Sequence, residues 1–311
     1  MFFGEPMNKY IFALGFFDGV HLGHQVLLKE CCRLAQQVGA GTAAITFDAH
    51  PQSLFSENTP PLLGTLSDRK ALLRSFGMEY IHAFPVTREV MSTPWEAFLE
   101  ELLAEGAAGF VCGDDFRFGF RGEGSSETLG SFCARRNLPC VIVPEQMLDD
   151  IRISSTYIRR QIESGDMATA VRFLGHPHIL TGAVVPGKQL GRKLGIPTAN
   201  LRLPEGLAIP KFGVYACLCL VDGVCYPAVT NVGVRPTVSG SGITVEPWIL
   251  DYSGNLYGRE IQLEFHYFLR PERKFDSLEE LKAAAHADAA ETRTIFGQKA
   301  SPGGEAVGEA D

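Results

Sequence analysis

Apolar and polar positions follow two textures along this chain. Up to about residue 175, short apolar runs alternate with longer stretches of helical periodicity. Residues 10–15 (YIFALG) are continuously apolar, as a strand buried on both faces of a parallel sheet would be. Residues 23–37 come next, with Val26, Leu27, Leu34 and Val38 at helical spacing, and then a second strand at 42–47 (TAAITF). Further helices fit 67–76 and 94–105. The second of these has Thr93 as expected N-cap, Pro94 at the first helical position, Glu96 three residues after the cap and Gly106 as its stop. Strands at 109–113 (GFVCG) and 140–144 (CVIVP) bracket a helix near 126–136. Strand, helix, strand, helix predicts a Rossmann-like α/β domain, a parallel sheet covered on both faces, with its ligand beyond the carboxyl ends of the strands.

Beyond residue 175 the pattern shifts. GHPHIL (175–180) reads as a linker, and glycines punctuate the next stretch at 182, 187, 191 and 195. Apolar and β-branched runs at 213–221, 224–231, 243–251 and 260–268 are separated by short turns such as Asp222-Gly223. The expectation is an antiparallel β-barrel closed by one helix over about 277–294.

Composition narrows the setting. The 311 residues exceed what one small core usually holds, so the expected division is 1–175, 179–296 and a small, polar, Gly-rich tail at 297–311, expected to be disordered. With 28 basic and 36 acidic side chains the net charge is −8, which argues against nucleic-acid binding through bulk electrostatics but leaves room for local phosphate pockets. No apolar run approaches the roughly 20 residues that span a bilayer. MFFGEPMNKY carries no export signal, and none of the eight cysteines forms a CxxC pair. Cys217 and Cys219 lie two apart in an apolar run and read as core thiols. A cytoplasmic protein acting on small molecules is expected, a monomer or weak homo-oligomer, with no nucleic acid or membrane as partner.

The chemistry concentrates in two glycine-framed segments. In GFFDGVHLGHQ (15–25), Gly15 and Gly19 permit a tight turn and Gly23 allows a ligand near the backbone. His21 and His24 fall at a helix start, where free N–H groups and the helix dipole favour anions. Zinc is the weaker reading, because His-x-x-His supplies two ligands and no Cys or carboxylate cluster clearly supplies the rest. In the second half, Gly182 to Lys188 nearly spells a P-loop and fails at Gln189, where Ser or Thr must hold magnesium. It reads better as one glycine-rich phosphate loop with Gly187, Lys188, Arg192, Lys193 and Gly195.

G-x-F-D-G-x-H-x-G-H resembles the HxGH nucleotidyltransferase superfamily. More closely, GFFDGVHLGHQVLL with TFDAHP (46–51), CGDDFRFGFRGEG (112–124) and ISSTYIR (153–159) resembles the N-terminal module of bacterial bifunctional riboflavin kinase/FMN adenylyltransferase, or FAD synthetase. The resemblance implies that Gly15, Phe17, Asp18, Gly19, Gly23, Ser155 and Thr156 meet ATP, that His21, His24 and Arg159 act in adenylyl transfer, and that Asp115 lies near the flavin or nucleotide. GIPTANL (195–201), FGVYA, NVGVRPT, LYG and LRPERKF resemble the riboflavin kinase module in the same order. There Thr198 and Asn200 would hold the magnesium of ATP, Glu246 would be the catalytic base and Arg270 would meet the flavin. Departures fall at Ala49, Phe16 and Tyr157, and at Glu246-Pro247-Trp248-Ile249, where the family usually reads E-x-H-I. The resemblance spans roughly residues 11–295 and implies phosphorylation of riboflavin to FMN, then adenylylation of FMN to FAD with release of pyrophosphate. Two other readings stay open: a single-activity FMN adenylyltransferase with a degenerate kinase module, or a flavin-binding regulatory protein without turnover.

Overall fold

The computed structural model describes residues 9–187, 191, 195–237 and 240–299. Lys188, Arg192 and Lys193, and residues 300–311 of the expected tail, lie outside them. The chain divides into two compact units. The first holds the chain through Gln161 with Thr169–His176 and Gly206–Ala208; the second holds Ile162–Ala168, Pro177–Glu205 and the chain from Ile209.

In the first unit, β1 (Tyr10–Leu14), β2 (Gly41–Phe47), β3 (Tyr80–Phe84), β4 (Ala107–Gly113) and β7 (Cys140–Val143) form one parallel sheet in the order β3-β2-β1-β4-β7. The strand order reverses between β1 and β4, which opens a crevice at their carboxyl ends. Helix α1 (Leu22–Val38) buries Leu27, Leu28, Cys31, Leu34 and Ala35 against one sheet face. Val38, expected on that stripe, is exposed, because the helix turns it outward one residue before Gly39 ends it with φ +69°. α2 (Leu66–Ser75) starts with a capping box between Thr65 and Asp68. α3 (Arg88–Met91) and α4 (Trp95–Ala104) come next. Thr93 does not cap α4: Pro94 takes the cap position without a side-chain bond, and the Thr93 hydroxyl instead donates to Glu89 O at 3.4 Å. Two short pairs, β5 (Arg117–Phe118) with β6 (Gly124–Ser125) and β8 (Met147–Leu148) with β9 (Ile151–Arg152), flank α5 (Ser126–Arg136), and α6 (Ser155–Ser164) and α7 (Met167–Leu174) come after β9. Phe12, Leu14, Phe84, Leu99, Phe110, Leu129 and Phe132 fill the other side of the sheet.

The second unit is a closed six-stranded barrel in the order β10-β11-β14-β13-β12-β15. Its strands are β10 (His178–Val185), β11 (Asn200–Arg202), β12 (Gly213–Val221), β13 (Val224–Thr237), β14 (Gly240–Ile249) and β15 (Glu260–Arg270), all paired antiparallel. The GHPHIL segment is therefore no linker from His178 onward: it opens a strand that closes the barrel by pairing with β15, and that pairing buries it. Asp222 (φ +51°) and Gly223 (φ +80°) turn β12 into β13, as a two-residue hairpin requires. Cys217 and Cys219 are fully buried. The closing helix runs Leu278–Lys299, past the expected end at 294 and through the first residues expected in the tail.

Candidate active sites

The first site grows from the turn after β1. Phe17 (φ +57°), Gly19 (φ +75°) and Val20 (φ +41°) all take left-handed backbone, and Val20 is β-branched, so the turn is strained. Several anchors hold it. Asp18 is 2 % exposed, with one carboxylate oxygen accepting from Leu63 N at 2.9 Å and the other from Arg159 Nη2 at 3.0 Å. Ser155 Oγ donates to Asp18 O at 3.0 Å, and Gln25 Nε2 donates to Val20 O at 3.0 Å. His176 Nε2 donates to Gly19 O at 2.8 Å.

This turn delivers His21 to the N-cap of α1, where its Nδ1 accepts from His24 N at 3.4 Å. The two imidazoles stack with centroids 3.6 Å apart. Burial drives His21 down to about 3 and His24 well below the usual imidazole range, so both rings are neutral at pH 7. Because His21 Nδ1 is an acceptor, its proton sits on Nε2, which makes that nitrogen a hydrogen-bond donor. His24 Nδ1 is buried without a partner among the described residues.

Around them lies a cleft of about 620 Å³ at the carboxyl ends of β1, β2, β4 and β7. Gly15, Phe17, Asp18, His21, Gly23, His24, Asp115, Ser155, Thr156 and Arg159 all line it. Gly19 does not: a Cβ there would press on Leu63 and Leu174. Arg159 meets the cleft while already paired to Asp18, and Asp115 is paired to Arg152, which also binds Glu145 at 2.9 Å. Sequence reasoning missed Arg152, His50 and Asp114 as lining residues. His50 and Asp114 fall inside the TFDAHP and CGDDFRFGFRGEG segments, which could have pointed to them, whereas Arg152 precedes ISSTYIR and carries no such signal.

Strand register builds the second site. Val214, Asn231 and Glu246 are cross-strand neighbours on β12, β13 and β14, and Ala216, Val229 and Trp248 form the next row on the same face. The alternate rows, with Tyr215, Thr230, Val232 and Val245, are buried at 0–1 % exposure as the barrel interior. The Glu246 face is thus the outer wall, where Val214 and Val229 pack with Ala289 of the closing helix. Between wall and helix lies a cleft of about 370 Å³ lined by Thr198, Asn200, Asn231, Glu246, Trp248 and Arg270, with Glu272, Arg273 and Phe275 at its side. Arg270 is held by Asp288 through bonds of 3.0 and 2.7 Å, and Asn231 Nδ2 donates to Glu272 at 3.1 Å. Thr198 also lines a smaller pocket of about 100 Å³ with Pro197, Ala199, Tyr252 and Tyr257. Gly187 lies against the Asn200 amide, where a Cβ would collide. Gly195 (φ +75°) lines neither pocket, while Lys188 and Arg192 lie outside the described residues. Asn231 and Asp288 escape sequence reasoning as site residues, because only register and helix docking bring them to the Glu246 cleft, whereas Trp248, two residues from Glu246 on one strand, is legible from the sequence.

A parallel α/β unit with paired histidines at its switch point, in one chain with a closed barrel bearing its own polar cleft, defines a two-domain nucleotide-handling protein. The FAD synthetase family profile matches residues 5–157, and the riboflavin kinase profile matches residues 174–296. The chain is 35 % identical to a bifunctional riboflavin kinase/FMN adenylyltransferase of Listeria monocytogenes, over 93 % of each chain. It is 34 % identical to one of Pseudomonas fluorescens, over 91 % of this chain and 92 % of the relative. It belongs to the bifunctional riboflavin kinase/FMN adenylyltransferase family. A solved structure described as a macrolide-efflux protein from Streptococcus pneumoniae has the same fold, with a TM-score of 0.83 and 29 % identity over 93 % of this chain and 95 % of that one. No helix among the described residues is long and apolar enough to cross a membrane.

Proposed function

We propose that this chain makes FAD from riboflavin in two ATP-dependent steps, one in each cleft. The observation that carries this reading is convergence. Segments near residues 15, 50, 115 and 155 close on one cleft, and Thr198, Asn200 and Glu246 close on another.

In the barrel cleft, Glu246 accepts the proton of the ribityl 5′-hydroxyl as that oxygen forms a bond to the γ-phosphorus of ATP and ADP leaves. The apolar wall of Trp248, Val214 and Val229 suits a flavin ring, and the adjoining pocket shared through Thr198 suits the nucleotide. A Thr hydroxyl and an Asn carbonyl fit magnesium, which takes few protein ligands and completes its shell with phosphate oxygens. Thr198 and Asn200 would hold it, and bound there it neutralises charge on the transferring phosphoryl group.

In the α/β cleft, an FMN phosphate oxygen attacks the α-phosphorus of ATP, and pyrophosphate leaves. Neutral His21 and His24 donate hydrogen bonds to the charge that develops, at a helix N-terminus whose dipole adds to the effect. Arg159 lines the cleft and turns its remaining terminal N–H donors to the phosphates while Asp18 holds Nη2. With eight free thiols and two ATP sites, the chain is assigned to the cytoplasm.

Purified protein given riboflavin, ATP and magnesium should yield FMN and then FAD by chromatography. FAD from supplied FMN without any FMN from riboflavin would select the single-activity reading, and flavin binding without ATP consumption the regulatory one. Glu246→Gln should cut FMN formation by about 10²-fold or more and spare the second step. His24→Ala should do the reverse.

A further inference from the structure

The adenylyl-transfer scheme leaves one buried cation without a role. Arg69 of α2 is 2 % exposed. Its Nη1 donates to Thr46 Oγ1 at 3.0 Å and to Phe47 O at 2.8 Å, and Thr46 Oγ1 donates onward to Phe16 O at 2.7 Å. Its guanidinium carbon lies 4.4 Å from the centroid of the Phe16 ring, which meets His50 edge-on at 5.2 Å. Phe16 leaves β1, and Thr46 and Phe47 end β2, so one guanidinium ties together the carboxyl ends of two neighbouring strands. Phe16, Phe47 and His50 line the cleft that those ends frame, whereas Arg69 lies behind them.

Two features set Arg69 apart from a packing residue. Nε and Nη2 are buried with no hydrogen-bond partner among the described residues. No described carboxylate is bonded to it either: Asp18, held by Arg159 and Leu63, acts on it only through space, and burial still pulls the guanidinium below its usual range. A buried guanidinium with three of its five N–H donors unmet is costly, and a neutral side chain of similar length would fill the space at less cost. What the neutral chain would lack is charge in a low-dielectric wall next to a polyanion site.

We propose that Arg69 is a positioning residue of the adenylyl-transfer site. Its fork fixes the ends of β1 and β2, and its buried charge, with no carboxylate bonded to it, makes the cleft floor attractive to the polyphosphate of ATP without touching it. The inference rests on the adenylyltransferase reading of this cleft. It agrees with the state of His24, held neutral first by burial, then by His21 stacked on it and by Arg69, with Phe17 edge-on as its apolar neighbour.

The test compares Arg69→Met and Arg69→Lys in the full chain. Three quantities are read: KM for ATP in FMN-to-FAD conversion, the rate of riboflavin phosphorylation on the same sample, and the His24 titration by NMR of labelled histidine. Arg69→Met should raise the ATP KM about tenfold or more, leave riboflavin phosphorylation within about twofold, and move the His24 pKa upward. Arg69→Lys should restore most of the ATP KM and the His24 titration. Arg69→Met with unchanged ATP KM and unchanged titration overturns the proposal. So does Arg69→Lys as impaired as Arg69→Met in both, which would leave a packing clamp alone. Should Arg69→Met lose both reactions by unfolding, Arg69→Lys against Arg69→Gln decides by the same two readouts. If the wild-type chain makes no FAD from FMN, the functional reading fails, and the histidine titration still tests Arg69 by itself.

Discussion

Asp18 and Arg159 form a buried pair, 2 % and 8 % exposed, at 3.0 Å. Asp18→Asn keeps an acceptor for Leu63 N but turns an amide N–H₂ towards Arg159, so a buried cation loses the carboxylate that faces it. Breaking such a pair from one side costs about 3–5 kcal/mol. That is a large share of the roughly 5–15 kcal/mol holding a domain folded. Arg159→Met should cost a similar amount by leaving Asp18 uncompensated. The double variant should cost less than the sum, with a coupling of about 2 kcal/mol, because it removes both stranded charges. Trp248→Phe leaves Trp95 as the single tryptophan, packed against Phe118 and Phe132 in the first unit, and its fluorescence reports urea unfolding there. A loss of about 3 kcal/mol lowers the midpoint by about 1–2 M urea. Single variants costing under about 1 kcal/mol, with additive effects in the double, would refute the idea that this pair holds the strained turn.

Three further outcomes are expected. His21 and His24 are neutral in the folded chain and protonated below about pH 6.5 when unfolded, so their contribution is undiminished above that pH and is lost as pH falls below it, for His21 from 6.5 towards about 3. Between about pH 7.5 and 5.5 His21 should cost about 1.4 kcal/mol, with His24 acting in the same direction, and His21→Gln/His24→Gln should unfold with a correspondingly flatter pH dependence in urea. Gly187→Ala should push the Asn200 side chain aside and weaken riboflavin phosphorylation, read as a higher magnesium requirement, while FAD formation from FMN stays unchanged. Riboflavin should quench Trp248 fluorescence, and Trp248→Ala should weaken riboflavin binding by about two- to tenfold; full-strength binding by that variant would show that the ring does not face the flavin.

Elements whose stability is local were readable in the amino-acid order. β1, α1, β2 and α5 announce themselves because a doubly covered sheet demands continuous apolar runs and helices demand a 3.6-residue stripe. The Asp222-Gly223 hairpin is equally plain, since its backbone needs φ > 0 at both residues. β3 went unread because YIHAF lies at the sheet edge, half-buried, with His82 at its centre stacked on Phe84. β10 read as a linker because its Gly and Pro neighbours signal a turn, whereas its order comes from pairing with β15, which begins at Glu260.

The sites divide along the same line. Sequence order alone carried the family, both chemistries and the glycine-framed turn that sets His21 on a helix N-terminus, since each rests on residues a few positions apart. Only the folded chain could show that Asp18 serves Arg159 and Leu63, or that Arg69 sits buried behind Phe16 with no carboxylate bonded to it. The same holds for Asn231, which register sets opposite Glu246, and for Asp288 on the closing helix beside them. These contacts join residues far apart in the chain, Asp18 and Arg159 lying 141 positions from one another. Burial then decides their charge and partners, and burial is a property of the packed structure.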